Sequence, residues 1–214
     1  MKLNGLADPE LELTAKRESR SFQREGKTVL SLEAELPEAA GAAYLNAYYR
    51  RIYRQLTLYC ERELVPALEP QLPPMKLGLE YRVRLLTPAL LSLTMELRRR
   101  GARPITAARF GAVWNRADGM PLPLRAFFPR PFGYRHRLSL WLRGEALERL
   151  RSGWCLYDPR QAERAGRLFS PEHFYAAEKG LVLFFPPLTL GSAAEGIPEF
   201  CLPWDDAGPR LPEN

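Results

Sequence analysis

Residues 174–204 read FYAAEKGLVLFFPPLTLGSAAEGIPEFCLPW, and this stretch decides the fold class. Phe174–Ala177 and Leu181–Phe185 are two strand-like runs separated by Glu178, Lys179 and Gly180, a short polar connection with a glycine free to adopt positive φ, as a hairpin requires. Leu181 to Phe185 is apolar at every position, which predicts a central strand covered on both faces. Pro186 and Pro187 end it, because proline has no N–H for the ladder. A loop of mostly small residues, Leu188 to Gly196, leads into Ile197–Pro203, whose alternation and terminal prolines predict an edge strand.

Working outward, Tyr134 to Ser152 predicts a helix with Leu138, Trp141, Leu142, Ala146, Leu147 and Leu150 on its apolar side and Gly153 past its end. Asp158-Pro159 reads as an N-cap followed by proline in the first turn, opening a shorter helix to about Leu168. At the other end, Leu11–Arg24 and Thr28–Leu36 predict a hairpin turning at Glu25-Gly26-Lys27. Pro37 and Glu38 are expected to open the clearest helix, whose stripe is Leu45, Tyr49, Ile52, Leu56, Cys60 and Leu64, with Pro66 ending or kinking it. Three runs follow, Leu79–Leu86, Leu90–Arg98 and Ile105–Asn115, and predict an antiparallel meander. In the second of them Leu91, Leu93, Met95 and Leu97 alternate with Ser92, Thr94, Glu96 and Arg98, so one face is expected to be buried and one wet. The sum is an α+β fold: antiparallel sheet with one long and one or two shorter helices packed on it. It is expected as a single compact domain over 1–214, with halves of about 10–117 and 118–206 and a tail at 207–214.

Composition bounds the function. With 214 residues, 46% of them hydrophobic, the chain can bury a substantial core. No apolar run approaches the roughly 20 residues of a membrane span, and the N-terminus lacks the apolar core of a signal peptide. A complete chain is therefore expected in the cytoplasm, and an excised one outside the cell. Cys60, Cys155 and Cys201 form no C-x-x-C pair, and His136 and His173 are the only imidazoles, so no disulfide framework, metal site or cofactor is expected.

Residues 75–133 carry 11 Lys/Arg against 3 Asp/Glu, while 174–214 carry 2 against 6. Arg98, Arg99, Arg100, Arg103 and Arg109 cluster around one turn and offer a basic patch where a polyanion such as nucleic acid would release counterions. No helix-turn-helix or RNA-recognition signature accompanies them, so a solvated or internally paired arginine face is the competing reading. Catalytic motifs are missing: there is no G-x-S-x-G, G-x-x-x-x-G-K or H-E-x-x-H. Glu195 and Glu199 offer a pair of carboxylates such as a polysaccharide hydrolase uses, which keeps that activity as the alternative. The chain is expected not to be an enzyme.

Phe174, Tyr175, Gly180, Leu181, Val182, Phe185, Pro187 and the run Gly196-Ile197-Pro198-Glu199-Phe200, closed by Pro203, resemble in order and spacing a bacterial family. It is the extracellular-domain family of the lysozyme-sensing anti-sigma factor RsiV, also found with the polysaccharide deacetylase PdaC, a domain of unknown function. Leu91-Ser92-Leu93-Thr94 with Gly101-Ala102 extends the likeness, although Arg103 stands where relatives carry a histidine, so that residue's role does not carry over. The resemblance implies a non-catalytic binding or sensing module for a protein or cell-envelope ligand, with lysozyme as the relatives' example. Contact is expected on the loop residues Pro187, Leu188, Thr189, Leu190, Ser192 and Glu195, and on Ile197. Here Leu188, Thr189 and Ala193 stand where relatives place tyrosines and a glutamate, and a net charge of +6 opposes a basic ligand such as lysozyme.

Overall fold

A computed structural model describes residues 6, 11–101, 105–130, 132–205 and 208–212. The chain forms two compact units. One comprises Met1–Arg82, Met95–Ala107 and Asn115–Met120; the other comprises Val83–Thr94, Ala108–Trp114 and Pro121–Asn214.

The first unit opens with β1 (Thr14–Arg24) and β2 (Lys27–Glu38), an antiparallel pair. Glu25 and Gly26 sit at φ 53° and 75° between them, the left-handed pair whose twist matches that of a hairpin. Pro37 and Glu38 do not open a helix, contrary to the sequence expectation. They extend β2 opposite Ala15 and Thr14, because β1 lies alongside them and proline is tolerated near a strand end. The helix α1 (Ala43–Tyr59) starts only after Gly41 turns the chain at φ 72°. Its approach is fixed by Asn46, whose Oδ1 accepts from the Ala39 N–H at 3.0 Å and whose Nδ2 donates to the Ala39 carbonyl at 2.9 Å.

Beyond α1 the helix widens into a π-turn, Cys60–Leu64, and closes in the single turn α2 (Val65–Ala67). Pro66 has no N–H for the ladder, and a widened turn is one way a helix accommodates such a residue. Arg24 Nη1 then donates to the carbonyls of Pro66 (2.7 Å) and Leu68 (2.8 Å), partnering groups that the helix end leaves open.

The five-stranded sheet follows the order β1-β2-β3-β4-β5, with β3 at Met75–Leu86, β4 at Leu90–Arg100 and β5 at Ile105–Asn115. It is mixed rather than purely antiparallel: β2 and β3 run parallel, Leu30 opposite Met75, since a helical crossover returns the chain in the same direction. The three-residue connection 87–89 joins β3 to β4, a length that only an antiparallel pair permits.

β4 departs most from its sequence pattern. Its polar face is not wet: Ser92 and Thr94 are fully buried and Glu96 nearly so. Each has a partner. Ser92 Oγ accepts from the Ala176 N–H at 2.9 Å, Thr94 Oγ1 accepts from Arg84 Nε at 2.8 Å, and Glu96 pairs with Arg98 at 2.5 Å. Alternation gives a strand two faces but does not say which is covered, and buried hydroxyls persist where a hydrogen bond meets them.

The second unit carries α3 (Tyr134–Arg151), α4 (Pro159–Leu168) and the antiparallel sheet β6-β7-β8, at Phe174–Ala177, Gly180–Phe184 and Glu199–Pro203. The Asp158 N-cap is as its sequence requires, its Oδ1 accepting from the Gln161 N–H at 3.0 Å, and Gly153 follows α3 at φ 71°. β7 is the middle strand and is buried along its whole length, while β8 is an edge. Leu138, Leu142 and Ala146 of α3, Ala162 and Ala165 of α4, Leu181 and Leu183 of β7, and Phe200 of β8 make up its core. The outer edge of β6 is closed by β4 and β5: Ser92 takes the Ala176 N–H, and Gly111 lies so close to the Phe174 carbonyl that no Cβ would fit there.

Candidate functional site

The loop after β7 is built of short pieces. Pro186 carbonyl accepts from the Thr189 N–H at 3.2 Å, Leu188 sits at φ 67°, and Ala193–Glu195 is one 3-10 turn ending at Gly196, φ 66°. It is fastened to the segment between α3 and α4. The Leu190 carbonyl accepts from the Asp158 N–H at 2.8 Å, Gly191 bridges Tyr157, and Glu195 Oε1 accepts from the Leu156 N–H. A glycine is needed at 191 because any Cβ there would strike the Leu156 carbonyl.

This fastening divides the predicted contact residues. Leu188 is 67% exposed, Ser192 is exposed, and Pro187, Thr189 and Glu195 are partly so. Leu190 is fully buried among Phe185, Phe200 and their neighbours, so its role is core packing. Ile197 packs against the small cluster of Tyr175, Val182 and Phe184. The same framework presents residues that the sequence reading passed over. Trp154 is 87% exposed and Leu156 64%, and Leu156 shares a groove of about 730 Å³ with Leu188, Ser192, Arg160 and Arg164. The available signal was Trp154-Cys155-Leu156, a large apolar triplet lying outside any periodic stripe.

The predicted basic patch is dispersed. Arg98 is held by Glu96, and Arg100 pairs with Glu33 and with Glu80 at 3.1 Å, lying across Gly78. Arg99 is exposed, and Arg103 lies outside the described residues. Arg109 belongs to the other unit. It pairs with Glu199 and lies over the rings of Tyr175 and Phe184 at 5.9 and 5.6 Å, with only 10% of its side chain exposed. Arg84 covers Tyr175 as well, at 5.0 Å. His173 stacks on Phe184 at 5.3 Å with its Nδ1 buried and without a hydrogen-bond partner; burial lowers its pKa, opposed by Glu172.

Glu195 and Glu199, the carboxylate pair considered for hydrolysis, are each engaged elsewhere, one by the Leu156 N–H and the other by Arg109. Cys60 is buried, and desolvation pushes its thiol up to about 11, away from nucleophilic use. Among the described residues no group of three His, Cys, Asp or Glu side chains is arranged to hold a metal ion, and no helix is long and apolar enough to cross a membrane.

Residues 134–205 match the family model described as "Protein of unknown function (DUF3298)". The matched segment, about a third of the chain, holds α3, α4, β6–β8, the loop and Trp154. Similar structures cover far more. A DUF3298 family protein from Pseudomonas aeruginosa PAO1 superposes with a TM-score of 0.60 at 15% identity, covering 93% of this chain and 93% of its own. A member of the same family from Bacteroides fragilis gives 0.57 at 17%, covering 91% and 90%. At these identities the likeness is one of fold. No curated protein matches the chain.

Proposed function

We propose that the chain is a non-catalytic binding module of the sensing type, which docks a polypeptide on the surface made by the loop at 187–196 and the segment at 154–158. The observation that carries this reading is the set Trp154, Leu156 and Leu188, all large, apolar and more than 60% exposed, on a backbone fastened by the Leu190, Gly191 and Glu195 contacts. Large apolar side chains on a fixed frame are what protein interfaces use as anchors, and tryptophan foremost. They stand in for the loop tyrosines of the relatives that the resemblance names. The separate engagement of Glu195 and Glu199 supports this reading over a polysaccharide hydrolase. The pairing of Arg98, Arg100 and Arg109 with carboxylates supports it over nucleic-acid binding through that cluster.

The test is a random-peptide display selection on the purified chain, followed by calorimetric titration of selected peptides against wild type, Trp154→Ala and Leu188→Asp. Both substitutions are expected to weaken binding at least about tenfold. Peptides whose affinity both variants retain within about twofold would refute the surface. Lysozyme, titrated alongside at low and near-physiological salt, is the ligand that the resemblance brings to the test. Binding that the two variants lose would identify it, and no binding would remove it.

A further inference from the structure

α4 carries an arginine stripe that the sequence reading did not single out. Arg160, Arg164 and Arg167 stand at i, i+4 and i+7, on one side of the helix, while Ala162 and Ala165 are buried on the other. At 1.5 Å per residue the stripe is roughly 10 Å long. All three guanidinium groups are exposed, and among the described residues none of them makes an ion pair or hydrogen bond, whereas Arg17, Arg20, Arg98, Arg100 and Arg109 each face a carboxylate. The nearby acids are committed: Asp158 caps the helix, and Glu163 is held by Arg143 at 3.1 Å.

Two grooves flank this stripe and share Arg164. One, of about 730 Å³, has Leu156 and Leu188 as its exposed apolar walls. The other, of about 390 Å³, lies between α3 and α4 and adds His136, Leu140 and Arg143. The two helices approach closely there because Gly166 rests on the backbone of Ser139, where any Cβ would collide.

Resting on the docking surface proposed above, we infer that its partner is an acidic polypeptide segment carrying aliphatic side chains. Three unpaired guanidinium forks match carboxylates in charge and geometry. The exposed apolar walls of both grooves are leucines, which hold aliphatic side chains; Trp154 lines neither groove, and a nucleic-acid strand is gripped by successive aromatic platforms. A basic protein is repelled by the same stripe.

The experiment measures fluorescence anisotropy of a labelled peptide of about 20 residues, repeating Glu-Leu-Glu-Glu, at about 50 and about 150 mM salt. Its glutamine analogue and an oligothymidylate of similar length serve as comparison probes. Reversing the stripe with Arg160→Glu, Arg164→Glu and Arg167→Glu together is expected to weaken the acidic peptide about 10- to 100-fold and to flatten its salt dependence. Arg99→Glu, on β4, is expected to leave it within about twofold, and the glutamine analogue to bind as weakly as the acidic peptide does to the reversed stripe. Circular dichroism and melting confirm that the triple variant is folded. An unchanged affinity in the triple variant overturns the inference, as does oligothymidylate binding more tightly than the peptide. Loss on Trp154→Ala and Leu188→Asp but not on stripe reversal leaves the docking surface standing and the acidic partner refuted. Loss on stripe reversal alone refutes the docking surface.

Discussion

Ser92→Ala removes one oxygen from a fully buried site, and that oxygen is the acceptor for the Ala176 N–H at 2.9 Å. The void left is small, so the cost lies in a backbone donor stranded without water or partner, about 1–3 kcal/mol. For a urea dependence of about 2–3 kcal/mol per molar, the unfolding midpoint drops by roughly 0.3–1.5 M. The assay is favourable because Trp114, Trp141, Trp154 and Trp204 all belong to the same compact unit as Ser92, so tryptophan fluorescence reports on the affected part alone. Ser192→Ala, exposed and in the same unit, is the matched control and is expected to stay within about 0.5 kcal/mol. If Ser92→Ala unfolds at the same midpoint as Ser192→Ala, the hydroxyl does not close the edge of β6, and the reading of β4 fails.

Three further outcomes follow from the site. The two leucines of one loop separate cleanly: Leu190→Ala costs about 2–5 kcal/mol in chemical denaturation, while Leu188→Asp stays within about 0.5 kcal/mol and acts only on binding. At pH 8, in a Cys155→Ala background that removes the half-buried thiol, a chromogenic thiol reagent labels the exposed Cys201 in the native protein, whereas Cys60, buried with its thiol raised to about 11, reacts only after denaturation; adding Cys201→Ala therefore removes the fast phase and adding Cys60→Ala does not. His173 titrates below its ordinary value when folded because burial disfavours its charge, so the unfolded chain takes the proton first. Stability is thus full above about pH 6.5 and declines as the pH falls beneath it. Melting curves from pH 7.5 to 5 should show a shallower decline for His173→Phe than for wild type, and parallel curves would remove His173 as the cause.

What could be read from the sequence was what neighbouring residues determine. Asp158-Pro159 and Gly153 carry their own stop and start chemistry, and both ends of the α3–α4 connection fall where they demand. Leu181–Phe185 is apolar throughout and is buried throughout. The failures are non-local. Pro37-Glu38 suits a helix start in isolation, and only the presence of β1 alongside makes it strand. Ser92, Thr94 and Glu96 look like a wet face until Ala176, Arg84 and Arg98 are brought to them. In the loop, composition could not separate exposed Leu188 from buried Leu190, because that distinction is made by the Asp158 and Tyr157 backbone on the far side. Arg109 counted as surface charge for the same reason: its partner Glu199 is 90 residues further on.

The closing of β6 by β4 and β5 also bears on where this molecule can be cut. The segment 134–205 that the family model recognises contains β7 and both strands that pair with it, yet neither Ser92 nor Gly111. Expressed by itself, that segment would present β6 as a bare edge, with the Ala176 N–H and the Phe174 carbonyl facing outward, the condition under which sheets recruit copies of themselves. The recognisable stretch and the autonomous one are therefore different lengths of chain, and a fragment intended to fold alone has to reach back at least to Val83.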